Sequence, residues 1–124
     1  MKTTLIALII IIIFMSGSCY YDNEEALYPE LNTSCDTSNV TFSGTVVPIL
    51  SNSCYSCHSN NTAASSGNNI LLENYSDVVA RAVAIEGSIK HTGSYSPMPK
   101  NGGMIKACSI TRFDIWVRNG MINN

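Results

Sequence analysis

Three residues within five positions carry the clearest chemistry in this chain. Cys54-Tyr55-Ser56-Cys57-His58 reads C-x-x-C-H, the attachment pattern of a c-type haem. Two thiols three positions apart at a helix end sit close together, so both reach the vinyl groups on one porphyrin edge. The adjacent imidazole then points at the iron. The pattern predicts one covalently bound haem c, with Cys54 and Cys57 as thioether attachments and His58 as an axial ligand. Two other chemistries compete. A redox dithiol of the C-x-x-C type opens a helix after a strand in a βαβ setting, whereas this motif closes a helical stretch. A structural zinc site takes four ligands, and only Cys35, Cys108 and His91 remain to complete one, scattered and unpaired.

An iron held by His58 needs a partner on its other face. Met98 lies in Ser96-Pro97-Met98-Pro99, where the flanking prolines stiffen the loop. A stiff loop suits a weak thioether ligand, because little entropy is lost on coordination. Met98 is therefore the expected distal ligand, making His58 and Met98 the metal ligands. His91 would give bis-His ligation and a lower potential; its plainer role is a surface or propionate-bonding histidine. Met104 follows two glycines and abuts the last helix, as a core or capping residue would, and Met121 lies beyond that helix. Tyr95, Lys90, Lys100 and Arg81 are candidates for bonding the propionates. An open distal site would instead make the chain a haem sensor or haem enzyme.

The elements that must position these residues are helical. The first helix is expected over 43–52, with Phe42, Val46, Ile49 and Leu50 on one face. Pro48 falls in its first turn if Thr45 is the N-cap; a kink is the other option. Residues 59–69 (SNNTAASSGNN) read as a polar loop. The second helix is expected over 77–86, capped by Ser76, with Val78, Val79, Ala82 and Val83 inward and Gly87 as its stop. Residues 87–103 hold four glycines and two prolines and predict an irregular loop. The third helix is expected over 107–119, with Ile110, Phe113 and Val117 as its apolar stripe, Trp116 at the edge and Gly120 as the stop.

Upstream, Leu5–Met15 is eleven apolar residues after Lys2, too short to span a bilayer and fitting an export signal. Ser16-Gly17-Ser18-Cys19 resembles the lipobox of bacterial lipoproteins, with Ser16 where that pattern prefers Leu, Val or Ile. The resemblance implies cleavage before Cys19, lipidation of Cys19 and residence in the periplasm on a membrane; cleavage near Ser18 by ordinary signal peptidase is the alternative. Residues 1–18 are thus expected to be the signal peptide and 19–34 an acidic tether. The compact domain is expected over 35–124.

The order helix, CYSCH, polar loop, helix, SPMP loop, helix with Trp116 resembles a class I monohaem cytochrome c domain. The opening F-x-x-x-V-x-P-I-L-x-x-x-C-x-x-C-H, Phe42 through His58, is similar to that of small lipid-anchored bacterial members. The resemblance implies a small all-α fold of three main helices around one haem, with the N- and C-terminal helices crossing. It implies that Phe42, Ile49, Leu50, Phe113 and Trp116 form the crossing and the haem wall. It brings Cys35 and Cys108 to elements that meet, and in an oxidising compartment they pair as a disulfide. The implied function is electron transfer between redox partner proteins, with no catalysis and no small-molecule substrate. A cytochrome subunit of a larger redox complex is the variant reading.

Composition sets the outer limits. At 124 residues the chain has no room for separate cofactor and substrate domains. Seven Lys and Arg against nine Asp and Glu, without a like-charge run, leave no footprint for nucleic acid. Five cysteines divide into one lipid site, two haem attachments and one disulfide.

Overall fold

The computed structural model describes residues 35–124 apart from residue 101. The chain divides into two units, Met1–Ser34 and Cys35–Asn124. The expected signal, the tether and Cys19 lie outside the described residues. The unit Cys35–Asn124 is all-α, with no strand among the described residues.

A π-helical turn, Phe42–Val46, runs into α1, Val47–Ser53; then follow α2, Tyr55–His58; α3, Ala63–Ser66; α4, Tyr75–Ile89; and α5, Ala107–Arg118. The π turn answers the question that Pro48 posed. An α-helical turn would press the proline ring on the carbonyl four residues back, that of Gly44. Here Val46 N donates to Thr41 O at 3.1 Å and the Val47 amide to Phe42 O, both at five-residue spacing. The wider turn takes up the strain before Pro48 enters α1 at its N-terminal end. The N-cap is Thr41 rather than Thr45. Its hydroxyl accepts from Gly44 N at 3.0 Å, while Thr45 Oγ1 accepts from Thr41 N at 3.3 Å, a reciprocal pair that satisfies donors at the helix start.

Phe42, Val46 and Leu50, spaced four apart, form the buried face of the first helical segment. They meet Val78, Ala82, Ile85 and Ile89 of α4 and Phe113 and Trp116 of α5 in one core. Phe42 lies 5.6 Å from Trp116 and 5.1 Å edge-on from Tyr75. Trp116 is fully buried rather than at the edge of its stripe, and its indole N–H donates to Ile122 O at 3.0 Å. Ile49 is only half-buried.

Helix α4 departs most from expectation. It starts at Tyr75, with Asn74 rather than Ser76 before it, and passes through Gly87 to Ile89. Gly87 does not stop it because it is needed inside it: a Cβ there would lie 2.2 Å from the Tyr95 ring, which packs on the helix at that point. Val83 is 66% exposed. The buried stripe runs Val78, Ala82, Ile85, Ile89, and Val83 is about 100° round from Ala82. Lys90 bridges Glu86 of α4 and Asp114 of α5, at 2.9 Å to the latter. Those carboxylates raise its pKa. Cys35 and Cys108 form a disulfide with their Cα atoms 5.4 Å apart, joining the start of the unit to the first turn of α5.

Candidate functional site

The pentapeptide Cys54–His58 forms a helical turn of its own, set off from α1 at Cys54 (φ −124°, ψ −35°). Cys54 N still donates to Leu50 O at 2.7 Å, while its carbonyl accepts from Cys57 N at 3.1 Å and from His58 N at 2.9 Å. The motif therefore closes the first helical segment, the opposite placement from a redox dithiol. Cys54 and Cys57 are both free thiols. The side chain of Cys54 packs against the core, and burial pushes its thiol up to about 11. Redox and metal-binding thiols are held low, by cationic neighbours or a helix N-terminus; this one is held high.

His58 is clamped from one segment. Its carbonyl accepts from Leu72 N at 3.0 Å, and its Nδ1 lies 3.1 Å from Ile70 O. A carbonyl only accepts, so Nδ1 carries a proton, and in the neutral ring the lone pair is on Nε2. Metal-bound histidines are usually oriented in this way, by a hydrogen bond at the ring nitrogen that does not bind.

The supports of that clamp are residues for which the sequence reading named no role. Asn68 and Asn69 both have positive φ, 51° and 59°, a region that Asn tolerates better than other side chains. They turn the chain after α3 so that residues 70–72 return alongside His58. Gly67 passes against the motif itself: a Cβ there would lie 2.1 Å from Cys57 O and 2.9 Å from Ala63 Cα. The signal was Gly67-Asn68-Asn69, a turn signature inside a stretch read only as polar loop. The same stretch holds the short helix α3, anchored by Thr62, whose hydroxyl donates to Tyr55 O at 3.2 Å.

Met98 is half-buried, on a strap that folds back over the end of α4. Met98 N donates to Ser88 O at 3.1 Å, and Met98 O lies 3.2 Å from His91 Nε2. His91, half-exposed, thus bonds the backbone of the strap. Met104 is 56% exposed, not a core or capping residue. It borders a groove of about 600 Å³ between α1 and the start of α5, lined also by Ile49, Ser53 and Ile105. Of the propionate candidates, Lys90 is committed to its two carboxylates and Tyr95 to packing on Gly87, while Arg81 and Lys100 are exposed.

Cys35 and Cys108, being bonded to each other, cannot complete a zinc site with the Cys54–Cys57 pair. No helix among the described residues is long and apolar enough to cross a membrane. No protein-family model, curated protein or solved structure matches the chain.

Proposed function

We propose that the chain is a one-electron carrier of the class I cytochrome c type, binding one haem c through Cys54 and Cys57 with His58 and Met98 as axial ligands. The observation that carries this reading is the bond from His58 Nδ1 to Ile70 O. It leaves Nε2 as a lone-pair donor beside two free thiols at the attachment spacing. When bound, the haem supplies an Fe(III)/Fe(II) couple. The chain supplies the rest. His58 is gripped at its ring and its carbonyl, so little can move when the charge of the site changes. Met98 is held by both its amide and its carbonyl. With His58 and Met98 both holding the iron, the thioether would favour the reduced form relative to a second imidazole, and no ligand position would be left for substrate. That suits electron transfer rather than catalysis. The partners are donor and acceptor redox proteins. Export and lipidation at Cys19 would keep the carrier on a periplasmic membrane and raise its effective concentration near membrane-bound partners.

The test is production with a haem-c maturation system, followed by mass measurement and haem staining under denaturing conditions. One covalent haem is expected, lost when Cys54 and Cys57 are both replaced by Ala. The ferric protein should show a far-red sulfur-to-iron charge-transfer band that Met98→Ala abolishes. Absence of covalent haem rejects the reading, and survival of the band in Met98→Ala rejects the distal ligand.

A further inference from the structure

Met98 is the residue of the proposed site most in need of positioning, since it lies on an irregular strap, remote in sequence from the helical motif. That strap is fastened at three points, all within residues 87–91 at the end of α4. The Tyr95 ring lies on Gly87, where even a Cβ would come within 2.2 Å. Met98 N donates to Ser88 O at 3.1 Å. Met98 O meets His91 Nε2 at 3.2 Å, and because a carbonyl accepts, Nε2 is the donor. The first two fasteners are a ring on a glycine and a backbone pair. The third is the one in which a side chain bonds Met98 itself.

His91 reaches Met98 because its own backbone is turned. It has φ of 53°, following Lys90 at the end of α4, and its amide still donates to Ser88 O at 3.3 Å. Ser88 O therefore receives both the His91 and the Met98 amides, bringing the two residues side by side. With amide and carbonyl both bonded, the peptide groups on either side of the Met98 Cα are fixed, leaving the thioether only its side-chain torsions.

From this geometry we infer that His91 is a positioning residue for the distal ligand: its Nε2–H holds the Met98 carbonyl and so presents the thioether sulfur. It acts through Met98 and does not itself ligate the iron. The inference rests on the haem reading, and it excludes His91 Nε2 as an iron ligand, since that nitrogen is occupied as a donor.

The test uses the matured holoprotein and imidazole as an external ligand competing with Met98 for the ferric iron. His91→Asn keeps an amide and tolerates positive φ but is too short to reach the carbonyl, whereas His91→Gln has the length. Loss of one such hydrogen bond is expected to tighten apparent imidazole binding about fivefold in His91→Asn and to weaken the far-red band. His91→Gln should return both toward wild type, and Met98→Ala should bind imidazole far more tightly still. Global stability by urea unfolding, measured alongside, separates a loosened strap from a loosened fold. Wild-type imidazole affinity in His91→Asn overturns the inference. So does a loss of the low-spin spectrum in His91→Asn that Met98→Ala does not share, which would make His91 the ligand. Failure to attach haem at all would end the underlying reading instead. Should His91→Asn not accumulate, hydrogen exchange at the His91 Nε2–H of the unaltered holoprotein decides: protection supports its bond to the Met98 carbonyl, and exchange at the free-imidazole rate overturns it.

Discussion

Gly67→Ala sets two physical effects against each other, and the structure says which wins. Gly67 has φ −103° and ψ 12°, a conformation open to any L-residue. Unfolded-chain entropy alone would then make Ala stabilising, by about 0.4–1 kcal/mol. The close approach opposes this. The new Cβ would stand 2.1 Å from Cys57 O and 2.9 Å from Ala63 Cα. Both are backbone atoms, so no side-chain rotation relieves the clash, and the chain must move by more than 1 Å. The movement propagates, because Gly67 O accepts from Ile70 N at 2.9 Å and Ile70 O accepts from His58 Nδ1 at 3.1 Å. Overpacking of this kind costs about 1–3 kcal/mol and each weakened hydrogen bond about 1 kcal/mol. A net loss of about 2–4 kcal/mol is expected, read as a fall of about 1–3 M in the urea midpoint. In the matured protein the same variant should loosen His58 and alter the haem spectrum while leaving covalent attachment intact. An Ala variant as stable as wild type, with an unchanged spectrum, would refute the reasoning.

Other expectations follow from the same contacts. The disulfide Cys35–Cys108 closes a separation of 73 residues, worth on the order of 4 kcal/mol in the chain-entropy account; the double Ser variant should lose most of that in urea unfolding, and Cys35 and Cys108 should take alkylating label only after reduction. Burial lifts the Cys54 thiol from 9.0 to about 11. The folded chain without haem therefore holds this proton after the unfolded chain has released it. The resulting stability is fully present below pH 9 and declines, by about 2–3 kcal/mol at most, as pH rises to about 11. Unfolding at a series of pH values should show this slope, and Cys54→Ala should remove it. Phe42→Ala takes out a ring that touches both Tyr75 and Trp116, and a loss of about 3–5 kcal/mol in thermal or urea unfolding is expected.

The grouping of the C-x-x-C-H side chains was legible in the sequence because it depends on spacing along the chain. Cys54, Cys57 and His58 lie within one turn, and a turn places them together whatever surrounds it. The last helix was also plain, its start and end falling within a residue of those expected. So was the all-α class, since the apolar residues recur at helical spacing. Periodicity failed where a contact from elsewhere outweighed local preference. Gly87 reads as a helix stop, yet α4 continues because the Tyr95 ring needs the missing side chain. Val83 reads as core from the apolar run, yet the stripe that meets α5 passes beside it.

The donor atoms and their order along the chain follow from residue identity alone. How they are held does not, because the holding groups are mostly backbone. The Ile70 carbonyl that sets the tautomer of His58, and the Ser88 carbonyl that receives the Met98 amide, belong to a peptide unit that every residue carries. Composition cannot mark which carbonyl faces an imidazole. Only the fold, by returning residues 70–72 to His58 and the strap to the end of α4, selects them.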